Sequence, residues 1–314
     1  MERVFWETLP KSFTVLAPME EVTDTVFRQI IIKCGRPNVF FTEFTNVDGL
    51  CSVGVERVGM RLKHTEEEKP LVVQLWGNNP EKFAEAAKMV AKLGFDGIDI
   101  NMGCPQKEVL KIGGGAALIG QNELAKEIIA ATKEAGLPVS VKTRIGIKKI
   151  ITEEWIGFLL EQNLSAITVH GRIAAEMSTG LARWEEIGRA AKMAQGKTLI
   201  IGNGDVGSLP EVKEKCATWG TDGVMIGRGI FHNPWLFTGR EGSREEKIKL
   251  LITHAKLFEE IWAGKKDFHI MRKFIKMYVN GFTGAAELRA GLMTAESAAE
   301  ITSMLDNEAA VIET

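Results

Sequence analysis

Cysteine is scarce in this sequence, with four in 314 residues at positions 34, 51, 104 and 216. They lie too far apart for a zinc-ligand spacing and are too few for a disulfide framework, so reduced thiols in a cytosolic compartment are expected. Neither sign of charge dominates, since 39 Lys+Arg oppose 41 Asp+Glu for a formal net charge of −2. That argues against a protein that holds nucleic acid by bulk positive charge, but not against a local basic face. No stretch approaches about 18 uninterrupted apolar residues, the length that spans a membrane. The opening MERVFWETLP also lacks the basic region and long apolar run of a signal peptide. A cytoplasmic protein with no membrane segment and no metal site is expected, and a monomer is the simplest assembly.

What is present is the composition of a globular protein, 45% hydrophobic and 25% charged, with 32 glycines whose placement matters more than their number. Eight short apolar runs recur, most of them ending in a polar residue, Gly or Pro: FTVLAPM from Phe13, VFFTEF from Val39, LVVQLWG from Leu71, GIDINMGCP from Gly97, VSVKTRIG from Val139, AITVHGR from Ala166, TLIIGNGD from Thr198 and DGVMIGRG from Asp222. Continuous apolar runs of this kind are the mark of strands covered on both faces. Between most of them lie helical stretches. The one from Asn79 has an early Pro80, a Glu in its first turn, apolar residues at Phe83, Ala86, Ala87 and Val90, and a terminal Gly94. Others start near Asn122, Thr152 and Ala182.

The strand centres, near residues 15, 40, 73, 99, 141, 168, 200 and 225, follow the rhythm of a (β/α)8 barrel. A doubly wound open sheet would place a Gly-rich phosphate fingerprint after the first strand, whereas here the glycines cluster after strands seven and eight, where barrels hold phosphate. After Arg240 the pattern is helical with no convincing strand. The fold class expected is therefore α/β, a TIM barrel over residues 1–240 followed by a smaller all-helical domain over 241–314. From Lys265 to Arg289 six basic residues (Lys265, Lys266, Arg272, Lys273, Lys276 and Arg289) face two acidic ones, Asp267 and Glu287, a local balance of +4.

Barrel active sites are built from the C-terminal ends of strands. Those ends carry Ala17-Pro18-Met19, Glu43, Gln74, Asn101 to Cys104, Lys142 and Arg144, His170 and Arg172, Asn203-Gly204-Asp205, and Gly227-Arg228. Any one of them could be a solvated strand end, but a Lys and a His ending adjacent strands argue for a set. The backbone of GNGD and IGRG, with Arg228 as counter-ion, suits a phosphate. A buried Lys142 would stabilise negative charge on a flavin, and Gln74 offers both a donor and an acceptor to a heteroaromatic edge. Met19 and its neighbours would pass their backbone under a flat ring. Cys104 has no base at a fixed local spacing to make it a nucleophile, so proton donor is the better reading. Inert buried thiols are expected at Cys34, Cys51 and Cys216. His254 and His269 fall in the helical part, where a surface or core role is expected, while His64 and His232 carry no assignment.

The runs APMEEVTDTVFR at 17–28, DINMGCPQKEVLKIGGGAAL at 99–118, VKTRIG at 141–146, TVHGR at 168–172, GNGDV at 202–206 and DGVMIGRGIFHNPWLF at 222–237 together resemble the tRNA-dihydrouridine synthases. The resemblance covers about residues 13 to 290. It implies a flavoenzyme that saturates the C5=C6 bond of selected tRNA uridines, with NADPH reducing FMN, hydride passing from the flavin to C6, and Cys104 protonating C5 from the opposite face. Ala17, Pro18, Met19, Gln74, Lys142, His170, Asn203, Gly204, Asp205, Gly227 and Arg228 would be the FMN contacts. Asn101 and Cys104 would face the uracil, with Arg144, Arg172, Arg272 and Lys273 as further substrate contacts. The helical segment would form the tRNA cleft with the barrel, and a stacked uracil would have to be flipped into it. Glu20-Glu21 replace the family's usual Ala-Gly after APM, and Ile173-Ala174 and Met177 stand where a Thr-Arg pair and a Tyr are usual. Another FMN barrel acting on a small pyrimidine or enone, or a non-catalytic RNA-binding barrel, are the competing readings. The helical extension speaks against the first, and retention of Lys142, Cys104 and the glycine loops against the second.

Overall fold

The computed structural model describes residues 5–312, with side chains through Asp306. Met1 to Val4 and Glu313-Thr314, the outermost residues of the two expected domains, lie outside the described residues. Eight strands form: β1 (Phe13–Leu16), β2 (Phe40–Asn46), β3 (Leu71–Trp76), β4 (Gly97–Met102), β5 (Val139–Arg144), β6 (Ala166–His170), β7 (Leu199–Asn203) and β8 (Gly223–Ile226). All pair in parallel in the order β1-β8-β7-β6-β5-β4-β3-β2. The seam between the two ends is narrow, a single Val15–Val39 bridge with the Leu16 N–H on the Val39 carbonyl at 3.1 Å. The fold is the expected (β/α)8 barrel.

Side-chain alternation sorts the strand residues into two cores. Inward-facing residues such as Phe13, Val15, Phe41, Val72, Ala166, Ile201 and Met225 fill the barrel interior, while Leu71, Val73, Leu75, Ile98, Ile100, Val141 and Val169 pack outward under the helices. Both faces are buried, which is why the strands read as continuous apolar runs. The bottom of the barrel is closed by a short 3-10 turn, Phe5–Thr8, that puts Trp6 (3% exposed) over Phe13 with ring centroids 6.2 Å apart. Towards the opposite end the inward residues turn polar, from Gln74, Asp99 and Ser140 to Asn101, Lys142, His170 and Asn203.

The expected helices appear as Pro80–Lys92, Asn122–Lys133, Thr152–Leu160 and Trp184–Ala194. The first is capped by Asn79, whose side chain accepts from the Lys82 N–H, and it buries Phe83, Ala86, Ala87 and Val90. Two further barrel helices, Thr25–Cys34 and Leu209–Trp219, are not marked out by the pattern above. After β8 come the helices Arg244–Trp262, Arg272–Tyr278, Ala285–Leu292 and Ala298–Ile312.

The helical segment shares its core with the barrel's outer layer. Phe27 of a barrel helix stacks on Phe274 at 5.2 Å, and Phe231 and His254 complete the cluster. Asp24 joins the same two parts. One carboxylate oxygen caps its own helix at the Phe27 N–H, and the other accepts from Trp262 Nε1 at 2.7 Å and Lys266 Nζ at 2.8 Å. His254 is therefore a core histidine, 1% exposed, with Nδ1 2.8 Å from the Tyr278 hydroxyl and with burial pushing its pKa down to about 4.

Candidate active site

The strand ends surround a cavity of about 1120 Å³. All the expected flavin contacts except Gln74 line it: Ala17-Pro18-Met19 after β1, Lys142 on β5, His170 on β6, Asn203-Gly204-Asp205 after β7 and Gly227-Arg228 after β8. Arg172 lines it as well, and the helical segment supplies Lys273, Lys276, Met277 and Asn280 on the facing wall. Two glycines have steric reasons. A Cβ at Gly204 (φ +125°) would lie 2.6 Å from the Ala182 Cβ, and one at Gly229 would lie 2.3 Å from the Val206 carbonyl, so the seventh and eighth loops meet backbone to backbone. At Gly227 a Cβ would lie 3.6 Å from that of Ala17, so any larger side chain would enter the cavity.

The cavity is strongly cationic. Lys142 donates to Asn203 Oδ1 at 3.0 Å, and Asn203 is itself oriented by donating Nδ2–H to the Met225 carbonyl at 2.8 Å. Burial, reinforced by Arg144, pushes the Lys142 amine down to about 8. His170 is held neutral by burial and by the surrounding charges of Lys142, Arg144, Arg172 and Arg228, which drive its pKa far below the ordinary value. Its Nε2 lies 3.1 Å from Arg172 Nη1. A guanidinium only donates, so Nε2 accepts and the ring proton sits on Nδ1.

Arg172, 2% exposed, also reaches both Asp205 oxygens at 2.6 and 2.7 Å and the Gly180 and Thr179 carbonyls. Burial would raise the Asp205 carboxyl, but the Arg172 and Ala182 hydrogen bonds and the charges of Arg172 and Arg228 hold it below the usual range. Arg144 is likewise turned inward, donating to the carbonyls of Gly103 (2.9 Å), Ile173 (3.2 Å) and Met177 (2.7 Å). Of the four residues expected as further substrate contacts, then, two brace the loops around the site. Arg272 is half-buried and Lys273 exposed.

Cys104 sits in a turn beside this cavity rather than among its lining residues. Asn101 Oδ1 accepts the N–H groups of Gly103 (3.1 Å) and Cys104 (2.9 Å), Arg144 holds the Gly103 carbonyl, and the Cys104 carbonyl accepts the Ala116 N–H at 3.0 Å. The KIGGGAAL segment packs directly on the turn. Gly115 has φ +59°, and a Cβ there would lie 2.7 Å from the Cys104 carbonyl oxygen. The thiol is partly accessible, and burial raises its pKa above the ordinary value, so it is protonated at neutral pH.

One buried group has no counterpart in the sequence reading. Asp99 lies two residues before Asn101 on the same face of β4, fully buried, with Ser140 Oγ donating to one oxygen at 2.6 Å and Gln74 Nε2 to the other at 2.7 Å. Gln74 Oε1 in turn accepts from Asn101 Nδ2 at 2.9 Å. The period-two spacing in DINMGCP was the available signal. Burial pushes the Asp99 carboxyl up to about 6. The native state thus holds a proton that the unfolded chain has lost between pH 3.8 and about 6, and stability falls as pH rises through that window. Above it the ionised group costs on the order of 3 kcal/mol, so Asp99→Asn should raise the melting temperature at pH 7.5. An unchanged or lower melting temperature would contradict that sign.

The two carboxylates after APM have partners. Glu20 pairs with Arg61 and Glu21 with Lys273, while the Glu21 N–H donates to Glu43 Oε1 at 2.6 Å. Glu21 lines a second cavity of about 490 Å³, together with Glu43, Arg57, Arg61, Lys266 and Lys273. Of the histidines without assignment, His232 lines the larger cavity, and His64 packs on Phe95 at 4.5 Å. Cys34 and Cys216 are buried as expected, but Cys51 is only half-buried. It follows the one-turn helix Val47–Leu50, with its Sγ 3.6 Å from the Lys82 carbonyl.

Residues 15–313 match the family model described as Dihydrouridine synthase (Dus). The chain belongs to the dihydrouridine synthase family. Among its relatives, the probable tRNA-dihydrouridine synthase of Staphylococcus aureus (strain COL) is 44% identical over 315 residues, covering 98% of this chain and 96% of that protein. The probable tRNA-dihydrouridine synthase 2 of Bacillus subtilis (strain 168) is 42% identical, covering 98% and 97%. Among solved structures, DHODH from Eimeria tenella in complex with ferulenol superposes with a TM-score of 0.53 at 14% identity, covering 79% of this chain and 81% of that one. That likeness concerns the barrel fold alone. In this dihydrouridine synthase family member, the Cys104 turn and the Lys142 cavity lie next to each other at the strand ends.

Proposed function

We propose that this chain reduces the C5=C6 bond of uridines in tRNA, as an FMN- and NADPH-dependent cytoplasmic enzyme. The observation that carries this reading is 44% identity to a probable tRNA-dihydrouridine synthase along nearly the whole of both chains. The alternative of a small-molecule FMN barrel rests on a fold likeness at 14% identity, and a barrel without catalysis would not need a protonated thiol clamped beside a cationic cavity.

The residues lining the cavity suit FMN. Its lining couples Arg228 and the abutting glycine loops, suited to a phosphate, with a buried lysine amine that has no carboxylate within ion-pair distance among the described residues. When bound, FMN supplies the hydride equivalent. Lys142 would hold the ring's electron-rich edge, His170 would offer its Nδ1–H, and Arg172 with Asp205 would keep the seventh loop in place. Cys104 would meet the uracil, the thiol giving its proton to C5, while Asn101 would hold its turn. The segment 241–314 would act as the tRNA-binding domain, with Arg272, Lys273 and Lys276 as phosphate contacts, and the target base would be flipped out of its stack. Incubating the flavoprotein with unmodified tRNA and NADPH should yield dihydrouridine by nucleoside mass spectrometry at one or a few positions. An absence of dihydrouridine with a full complement of flavin would sink the reading.

The pair Glu21–Lys273 bears on affinity. The Lys273 hydrogen bond holds the Glu21 carboxyl below its usual range, so at neutral pH one of the proposed phosphate contacts is already neutralised. Glu21→Gln should tighten tRNA binding by about two- to fivefold and steepen its salt dependence by about one counterion. Equal affinities and slopes for the two proteins in a filter-binding titration would remove Lys273 from the interface.

A further inference from the structure

We propose that Asp99 is a positioning residue that sets the hydrogen-bond polarity of Gln74 and Asn101 and thereby fixes the turn that carries Cys104. The inference rests on the proposed function only for what Cys104 does, not for how it is held. The four side chains form one chain of contacts across neighbouring strands: Ser140 Oγ to Asp99 Oδ1 at 2.6 Å, Gln74 Nε2 to Asp99 Oδ2 at 2.7 Å, Asn101 Nδ2 to Gln74 Oε1 at 2.9 Å, and the Gly103 and Cys104 N–H groups to Asn101 Oδ1. Strand register makes this possible, since Asp99 pairs with Gln74 on one side and Ser140 on the other.

A primary amide has a donor end and an acceptor end of nearly equal size, so nothing in its shape decides which way it points. Gln74 and Asn101 are two such amides in series. An ionised carboxylate only accepts, and it therefore orders both amides from one end, as the two backbone N–H groups of the turn do from the other. With Asp99 accepting, Gln74 must aim Nε2 at it and Oε1 at Asn101. Asn101 must then aim Nδ2 at Gln74, which leaves Oδ1 for the two backbone N–H groups of the cysteine turn. Without the acceptor, Gln74 Nε2 is left buried and unpaired, Gln74 gains a reason to turn, and only the two backbone N–H groups still hold Asn101 in its orientation. A reversed Asn101 would set its own N–H₂ against the Gly103 and Cys104 N–H groups, and the turn would lose two of its ties. All members from Ser140 to Asn101 are buried, so water is poorly placed to substitute. Retention of a carboxylate in a place where its charge is unfavourable is what such a role requires.

The variants Asp99→Leu and Asp99→Asn separate polarity from charge. Leu deletes the acceptor at similar volume. Asn offers Gln74 an acceptor and the Ser140 hydroxyl a donor, and the backbone N–H groups of the turn orient all three amides in series, so it should keep the polarity without the charge. The direct readout is the rate at which iodoacetamide labels Cys104 in the flavin-loaded protein without tRNA, followed on its peptide by mass spectrometry. Asp99→Leu should label at least about fivefold faster as the turn opens, and Asp99→Asn within about twofold of the unmodified protein. Dihydrouridine formation should fall at least about tenfold in the Leu variant and be largely retained in the Asn variant. Should Asp99→Leu not fold, Gln74→Leu breaks the chain at its next member and should show the same rise in labelling. Unchanged labelling in the Leu variants, or an equal rise in Asp99→Asn, would overturn the proposal. Cys104→Ala serves as the separate control. If it still reduces uridine, the donor role of Cys104 fails, while the labelling result on Asp99 stands on its own.

Discussion

Cys104→Ala should lower dihydrouridine formation by about 10²- to 10⁴-fold while leaving flavin content and NADPH oxidation unchanged. The turn is held through backbone groups, with the Gly103 and Cys104 N–H groups on Asn101, the Gly103 carbonyl on Arg144 and the Cys104 carbonyl on Ala116, so deleting the sulfur leaves its ties in place. Cys104 is also absent from the lining of the large cavity, which separates its loss from cofactor binding. Burial raises the thiol pKa against the smaller opposing effects of the Gln106 backbone N–H and of Arg144 and Lys142. A thiol of that kind stays protonated through neutral pH, the state a donor needs and a nucleophile does not. Flavin absorbance, NADPH oxidation and nucleoside mass spectrometry on the same preparation give the three readings. Loss of the flavin in the variant would show instead that the sulfur supports the cavity.

The barrel was legible because its strands are covered on both faces and so read as apolar runs, and because the strand-end rule turns their last residues into a site. That rule found Lys142, His170, Asn203 and Arg228, which do meet around one cavity. It could not tell an arginine aimed at a ligand from one aimed at the chain itself. Arg144 and Arg172 end their strands like the rest, but their guanidinium groups reach carbonyls and a carboxylate on loops that the sequence does not place beside them. Asp99 escapes that rule for the opposite reason. It lies deeper than the strand end, and its partners Gln74 and Ser140 come from strands 25 and 41 residues away. Trp6 at the barrel floor and the Phe27–Phe274 stack that joins helical segment to barrel depend on the same kind of long-range closure.

For Lys142→Met the expected effect is a fall of about 10²- to 10³-fold in uridine reduction, with the flavin bound more weakly. Two opposing influences act on this amine. Burial and the neighbouring Arg144 push its pKa down to about 8, while Asp99 and Cys104 pull the other way. Among the described residues its hydrogen-bond partner is neutral, the Asn203 amide oxygen at 3.0 Å. A cation kept in a cavity without an anionic contact is pre-organised for an anionic ligand, and an anion bound there would raise the amine's pKa again. The sign of the pH dependence follows. In the apoprotein the lysine is protonated below about 8 and neutral above it, so FMN affinity should weaken as pH rises through that value. Met keeps the volume and the apolar stem but removes the titration, so the variant should bind FMN more weakly at pH 7 and show no such loss on going to pH 9. Fluorescence titration of the apoprotein with FMN at the two pH values measures both effects. A variant that kept the same pH dependence would assign it to another group and leave Lys142 as a packing residue. With the pH dependence gone but uridine reduction intact, Lys142 would belong to binding and not to the reaction.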